Sequence, residues 1–200
     1  MTPVINSINN YKIYKPYGYL SQFINNQTRR QNKKLLGELY DFPEGVMAIG
    51  RLDEDSEGLL LLTSSGIISE IVRSKSIEKE YYVQVDGHIS LEAIKRLESG
   101  VEIGISGKRY LTQPCEVLAL NNTPLLPVRA KKIRNSRHGP TSWISITLTE
   151  GKFRQIKKMT SAVGFPTLRL VRIRIGYEEL GKLQPGDVKR VQQFLLPDIR

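Results

Sequence analysis

Cysteine, histidine and tryptophan are almost missing from this chain of 200 residues, which holds one cysteine, two histidines and one tryptophan. The lone Cys115 excludes an internal disulfide and suits a reducing compartment, so a cytoplasmic location is expected. So few thiol and imidazole groups do not suit a structural zinc site, and no metal is expected. No apolar stretch approaches the ~20 residues a membrane-spanning helix needs, and no charged-then-apolar pattern marks a signal segment. Acidic residues are also short: 20 Asp and Glu face 30 Lys and Arg, giving a net charge of +10. A field of that sign attracts polyanions, nucleic acid first and membrane surfaces second. Carboxylate, amine, guanidinium and phenol groups remain to carry any chemistry.

With 40% hydrophobic residues, the chain can bury a sizeable core, and residues 1–200 are expected to form a single domain, with two lobes around a cleft allowed. Residues 1–10 are polar and are expected to fray. Residues 11–14 read as a short strand ended by the turn Lys15-Pro16-Tyr17-Gly18. The polar, basic stretch 25–34 is either a surface loop or a segment that orders on a polyanion. A helix is expected over 66–72, and a strand over 80–85 with Tyr81, Val83 and Val85 on one face. Ser90 opens a second helix with Leu91, Ile94 and Leu97 apolar, and Gly100 closes it. Residues 101–149 have β texture, and 143–149 alternate with Ile144, Ile146 and Leu148 inward. A helix over 152–163 has Phe153, Ile156, Met159 and Val163 on its apolar side, with Arg154, Lys157 and Lys158 on its basic side. Residues 168–175 read as a strand with Leu168, Leu170, Arg172 and Arg174 on one face. The pattern is α+β: a mixed or antiparallel central sheet flanked by helices and loops.

Four segments could carry chemistry. In Gly50-Arg51-Leu52-Asp53-Glu54-Asp55-Ser56-Glu57-Gly58, apolar runs bracket an acidic turn with one arginine. Such a turn can present Asp53 at a fixed place as nucleophile or general base, although an ordinary acidic turn between strands has the same composition. In Lys79-Glu80-Tyr81-Tyr82-Val83, a tyrosine can stack on a base while the lysine holds a phosphate; packing within a sheet is the plainer use of such a tyrosine. Lys152, Arg154, Gln155, Lys157 and Lys158 crowd the start of a helix, where the helix dipole favours acids, so a bound polyanion explains them better than helix stability does. From residue 152 to 174 there are seven basic residues and no acidic one. The loop carrying Arg129, Lys131, Lys132, Arg134 and Arg137 reads as a phosphate-contacting arm. His138, alone in that polar loop, has little weight as a catalytic group.

Taken in order, these segments resemble the RsuA-type family of RNA pseudouridine synthases. The resemblance rests on Lys15-Pro16-Tyr17-Gly18, Gly50-Arg51-Leu52-Asp53 through Leu62-Thr63-Ser64-Ser65-Gly66, and Lys79-x-Tyr81-x-Val83. It continues with Glu150-Gly151-Lys152 through Lys158-Met159 and Val163-Gly164-Phe165-Pro166-Thr167-Leu168-Arg169-Leu170, covering roughly residues 11–176. Pro140-Thr141-Ser142-Trp143 and the expected lack of an N-terminal S4 RNA-binding module resemble the RluE branch, which modifies 23S rRNA. Phe153 departs from the pattern, standing where polar residues are usual.

The resemblance implies a pseudouridine-synthase fold with its active site in a basic cleft, and conversion of a uridine of 23S rRNA to pseudouridine without a cofactor. It implies Asp53 as the nucleophile or base that starts glycosidic cleavage, Tyr81 stacked on the uracil, Lys157 paired with Asp53, and Leu170 closing the base pocket. Arg51 would help displace the base. RNA contacts are expected from Arg51, Lys79, Arg129, Lys131, Lys132, Arg134, Arg137, Lys152, Arg154, Gln155, Lys158, Arg172 and Arg174. The expected partner is 23S rRNA or a large-subunit precursor, met by a monomer and no membrane. Three alternatives stay open: the same chemistry on tRNA or another rRNA site, an idle RNA-binding assembly factor, and a hydrolase pairing Asp53 with Glu57.

Overall fold

The computed structural model describes residues 8–24, 32–133 and 136–197. Its main sheet begins with β1 (Asn10–Lys15), β2 (Met47–Ala48), β3 (Glu57–Thr63) and β4 (Lys79–Asp86). A two-stranded hairpin, β5 (Glu102–Ile105) and β6 (Lys108–Leu111), stands apart. The main sheet resumes with β7 (Glu116–Leu120), β8 (Thr141–Leu148), β9 (Thr167–Ile175), β10 (Glu178–Glu179) and β11 (Val188–Val191). The helices are α1 (Gly66–Arg73), α2 (Leu91–Ser99) and α3 (Gln155–Ala162).

The sheet runs β11-β1-β3-β9-β4-β8-β7, with β10 on β9 and β2 on β3. Its pairings are antiparallel except β3 with β9, which meet in parallel at Glu57/Val171 and Gly58/Arg172. That short junction carries the acidic turn, and Gly58 makes it possible. Its φ is 103°, and a Cβ there would overlap the Arg172 backbone, so only glycine lets the two strands approach this closely.

All seven residues of β3 are buried, which is why the segment reads as an unbroken leucine run; a strand covered on both faces has no polar side to alternate with. Leu59 and Leu61 pack with Tyr14, Val72, Ile77 and Val171, while Leu60 and Leu62 pack with Tyr11, Ile13, Leu36 and Val46. At about 1.5–3 kcal/mol for each fully buried leucine, this strand anchors the turn that precedes it. A third cluster joins Val83, Val85, Ile144 and Ile146 to Ile94 and Leu97 of α2 and to Ile156 and Met159 of α3.

Several sequence expectations meet the structure directly. The side chain of Ser90 accepts a hydrogen bond from Ala93 N, and Gly100 ends α2 at φ 96°. Leu91 is exposed, however, and the buried stripe begins two residues later, at Ala93, with Ile94 and Leu97. Asn10 is not frayed: it is buried at the start of β1, and its Oδ1 accepts from Thr63 Oγ1 at 2.8 Å. In β8 the alternation is incomplete, since Trp143, Ser145 and Thr147 are also buried between β4 and β7. The third helix starts at Gln155 instead of 152, which leaves Phe153 70% exposed and outside the apolar stripe. Residues 1–7 and most of the basic stretch 25–34 lie outside the described residues. Among the described residues, no helix is long and apolar enough to cross a membrane.

Candidate active site

The turn before β3 is held from beneath by the segment that follows β1. Ser21 Oγ donates to Leu52 O at 2.8 Å and accepts from Leu52 N at 2.9 Å, bracketing the residue before Asp53. Gly18 N donates to Glu54 O at 2.8 Å on the other side of it. The segment is itself fixed by Lys15, whose fully buried Nζ donates to Pro16 O at 3.0 Å and Tyr19 O at 2.7 Å. Burial pushes the Lys15 amine down to about 7, with the carboxylates of Glu57, Asp55, Asp53 and Glu54 pulling the other way.

Beneath the turn, Glu57 is buried and accepts from Arg169 Nε at 3.1 Å and Nη2 at 3.0 Å. Arg129 Nε approaches the same carboxylate at 3.1 Å. Arg129 also donates to Leu168 O and Asp55 O, each at 3.2 Å, and lies over the Tyr17 ring at 4.2 Å. Two arginines and one glutamate thus tie β9, residues 127–129 and the acidic turn into one buried network. Glu57 therefore has no part in a carboxylate pair with Asp53.

From above, α3 and the residue that precedes it supply two cations. Lys157 Nζ lies 3.5 Å from Asp53 Oδ2 and is hydrogen-bonded to Asp55 Oδ1. Arg154 Nη1 stands 3.8 Å from Asp53 and 3.4 Å from Asp55. Burial alone would raise the Asp55 carboxyl; the hydrogen bond and charge of Lys157, with Arg154 behind it, hold it below the usual carboxylate range. Arg154 precedes α3 in the left-handed conformation, φ 52°, a backbone state costing a non-glycine residue on the order of 1–2 kcal/mol. Buried Glu150 supports this corner, accepting from Tyr110 Oη and Gln155 Nε2, each at 2.5 Å, and from Gln113 N at 2.9 Å.

Asp53 faces two connected spaces. An open cleft of about 690 Å³ is lined by Tyr17, Leu20, Ser21, Arg51, Leu52, Asp53, Glu54, Asp55, Gly151, Lys152, Phe153 and Arg154. A recess of about 110 Å³ opens from it, where Asp53, Arg51 and Arg154 meet Tyr81, Leu148, Ile156 and Leu170. Three basic and three acidic side chains line the cleft, so the positive excess of the chain does not lie in that lining itself. The recess thus brings one aromatic side chain, several aliphatic ones and the Asp53 carboxylate together. Among the described residues, no group of three or more His, Cys, Asp or Glu is placed to hold a metal ion.

Residues 11–162 match the RNA pseudouridylate synthase family model. Ribosomal large subunit pseudouridine synthase E of Vibrio parahaemolyticus is 42% identical over 180 residues, 89% of this chain and 71% of that protein. Its namesake from Xanthomonas campestris is 41% identical over 174 residues, 86% of this chain and 89% of that protein. A crystal structure of a pseudouridylate synthase shares the fold, with a TM-score of 0.72 over 92% of this chain and 70% of that one at 23% identity. The chain belongs to the RNA pseudouridylate synthase family.

The structure brings Asp53, Tyr81, Leu170 and Arg154 to one recess, with Lys157 behind the carboxylate. It treats the expected RNA contacts unequally. Arg51, Lys131, Lys132, Arg137, Lys152 and Arg154 are exposed. Lys79 is turned inward, donating to Ser74 O at 3.0 Å and Ile77 O at 2.6 Å, and burial lowers its amine to about 8. Arg172 is buried and donates to Leu59 O at 2.7 Å; Arg174 pairs with Glu80 at 2.8 Å and Glu78 at 3.3 Å; Gln155 is buried against Glu150. Lys158 donates to Gly104 O at 2.7 Å. With Arg129, these side chains are engaged within the fold, a difference that strand alternation and loop composition cannot show, since they do not separate a buried cation from an exposed one. Arg134 lies outside the described residues. His138 sits on a short 3-10 turn (Ser136–His138) and does not line the cleft.

Sequence reasoning missed Asp55, Lys15, Ser21 and Glu150. Asp55 stood in the quoted turn, but nothing local shows that it competes with Asp53 for Lys157. Lys15 had a faint signal in the apolar strand before it.

Proposed function

We propose that this protein isomerises a uridine in the 23S rRNA of the large ribosomal subunit to pseudouridine, with Asp53 as the group that begins the reaction. The reading is carried by one observation: Asp53, Tyr81 and Leu170 line the same small recess. The large-subunit substrate is supported by the two ribosomal large subunit pseudouridine synthases that are 41–42% identical over most of this chain.

The target uridine must first leave its stack, at a cost of a few kcal/mol. Its ring then enters the recess against Tyr81, with Leu170 on the aliphatic side. Asp53 acts at the sugar, and the N1–C1′ bond breaks. The freed uracil turns and C5 bonds to C1′. The hydrogen on C5 leaves to solvent and N1 takes a proton, so the product is an isomer and no external oxidant, reductant or cofactor is consumed. Lys157 and Arg154 balance the charge of Asp53 and fix its position. Arg51, Lys131, Lys132, Lys152 and Arg154 hold the phosphate backbone.

Nucleoside analysis of large-subunit rRNA transcripts after incubation with the purified protein tests this reading. Pseudouridine at one position is expected. Product on tRNA alone would move the chemistry to another RNA, and tight RNA binding without product on rRNA, precursor particles or tRNA would make the protein an RNA-binding factor.

A further inference from the structure

Phe153 is the feature of this cleft that packing does not explain. Its spacing with Ile156, Met159 and Val163 places it on the apolar stripe of a continued helix, where it would join the core. The chain does not continue the helix. Arg154 adopts φ 52°, α3 starts only at Gln155, and the Phe153 ring is left 70% exposed. It lines the cleft together with Asp53, Arg51, Lys152 and Tyr17. The same left-handed residue places the Arg154 guanidinium against Asp53 and Asp55. The Lys158 amine stands 5.3 Å from the Phe153 centroid. The second aromatic ring of the cleft, Tyr17, is half-buried with Arg129 over it at 4.2 Å and Lys131 at 5.9 Å, so Phe153, more exposed and with one more distant cation, is the ring better placed to meet a ligand.

Strained backbone of this kind collects at sites that bind ligands, and here it sets an exposed ring at the mouth of the cleft. In a cleft that admits RNA, an exposed ring meets the flat face of a base, an interaction indifferent to base identity but sensitive to the presence of the base. We propose that Phe153 stacks on a nucleobase neighbouring the target uridine, holding the flanking strand in place while the uridine occupies the inner recess. This rests on the isomerase reading. Phe153 is thereby a determinant of substrate affinity and site choice, outside the bond-making groups.

The test uses the full chain and an rRNA fragment containing the modified uridine, with tritium release from 5-tritiated uridine as the rate. Phe153→Ala is expected to raise KM roughly tenfold, the loss of one base stack, while kcat changes less than about twofold; Phe153→Trp restores KM. Replacing one flanking nucleotide by an abasic residue should raise KM for wild type and add nothing further to Phe153→Ala. An unchanged KM in Phe153→Ala, or a loss that adds in full to that of each flanking abasic substitution, overturns the stacking role and leaves the isomerase intact. Absence of tritium release by wild type from rRNA, precursor particles and tRNA alike overturns both. The ring is exposed, so the alanine variant keeps its core; an unchanged denaturation midpoint verifies that.

Discussion

Lys157 is shared between two carboxylates: it lies 3.5 Å from Asp53 and makes its closer hydrogen bond to Asp55. The two acids are not equivalent, because only Asp53 lines both the cleft and the recess that contains Tyr81. Asp55→Asn is therefore expected to keep measurable turnover, with kcat lowered less than about tenfold as Lys157 loses its fixed position. Lys157→Met should lower kcat more than it changes KM. Steady-state tritium release from rRNA measures both. Turnover abolished by Asp55→Asn would assign the central role to the wrong carboxylate.

Glu57 neutralises two guanidinium groups in the interior, those of Arg169 and Arg129. Removing one partner of a buried ion pair leaves unpaired charge and typically costs about 3–5 kcal/mol. Glu57→Ala is expected to lose stability on that scale, a large share of the ~5–15 kcal/mol that holds an ordinary domain together. Urea denaturation gives the value. A loss below 1 kcal/mol would mean that the network does not anchor the turn.

Lys15 makes stability depend on pH. Its amine is lowered from 10.5 to about 7 in the folded state, so above pH 7 the unfolded chain holds the proton more strongly. Stability therefore rises with pH through this window, by at most about 1.4 kcal/mol per pH unit from this group. Lys79, lowered to about 8, adds in the same direction. Above the ordinary cysteine and tyrosine ranges, Cys115 and Tyr14, raised to about 11 and about 12, oppose it, so pH 7 to 8.5 is the range to measure. Lys15→Met should flatten the slope of unfolding free energy against pH there. Equal slopes for wild type and variant would remove Lys15 from the account.

The cations divide into buried and exposed sets, and salt dependence separates them. Lys132→Ala, at an exposed site, is expected to weaken RNA binding and to reduce the slope of log K against log salt by about 0.7–0.9. Arg154→Ala should do the same while also lowering turnover. Arg174→Ala removes a side chain engaged by Glu78 and Glu80 and should leave the slope unchanged. Filter binding across a salt series decides between these outcomes.

Much of the site was legible because its parts are local. An acidic turn between two apolar runs, a Tyr on an alternating strand and basic residues beside Gln155 are patterns of a few residues each. Their order along the chain marked the family, and the α+β class followed from strand and helix periods. What was not legible depends on distance. Strand order is set by packing between segments up to 182 residues apart, as with Asn10 and Gln192, and no local pattern encodes it. Burial decides which cations are free: Arg129 in its loop and Lys132 three residues later look alike in sequence, yet one pairs with Glu57 and the other faces solvent. The start of α3 was misplaced for a different reason. Periodicity favours a helix from residue 152, and a single left-handed residue at Arg154 overrides it.

Tritium release from 5-tritiated uridine in a 23S rRNA transcript, with wild type and Asp53→Asn side by side, tests the central claim most directly. Release by wild type, none by Asp53→Asn, and equal RNA binding by both is the predicted result. Release that survives Asp53→Asn would contradict the assignment of the reaction to that carboxylate. No release by wild type from rRNA, precursor particles or tRNA would contradict the isomerase itself.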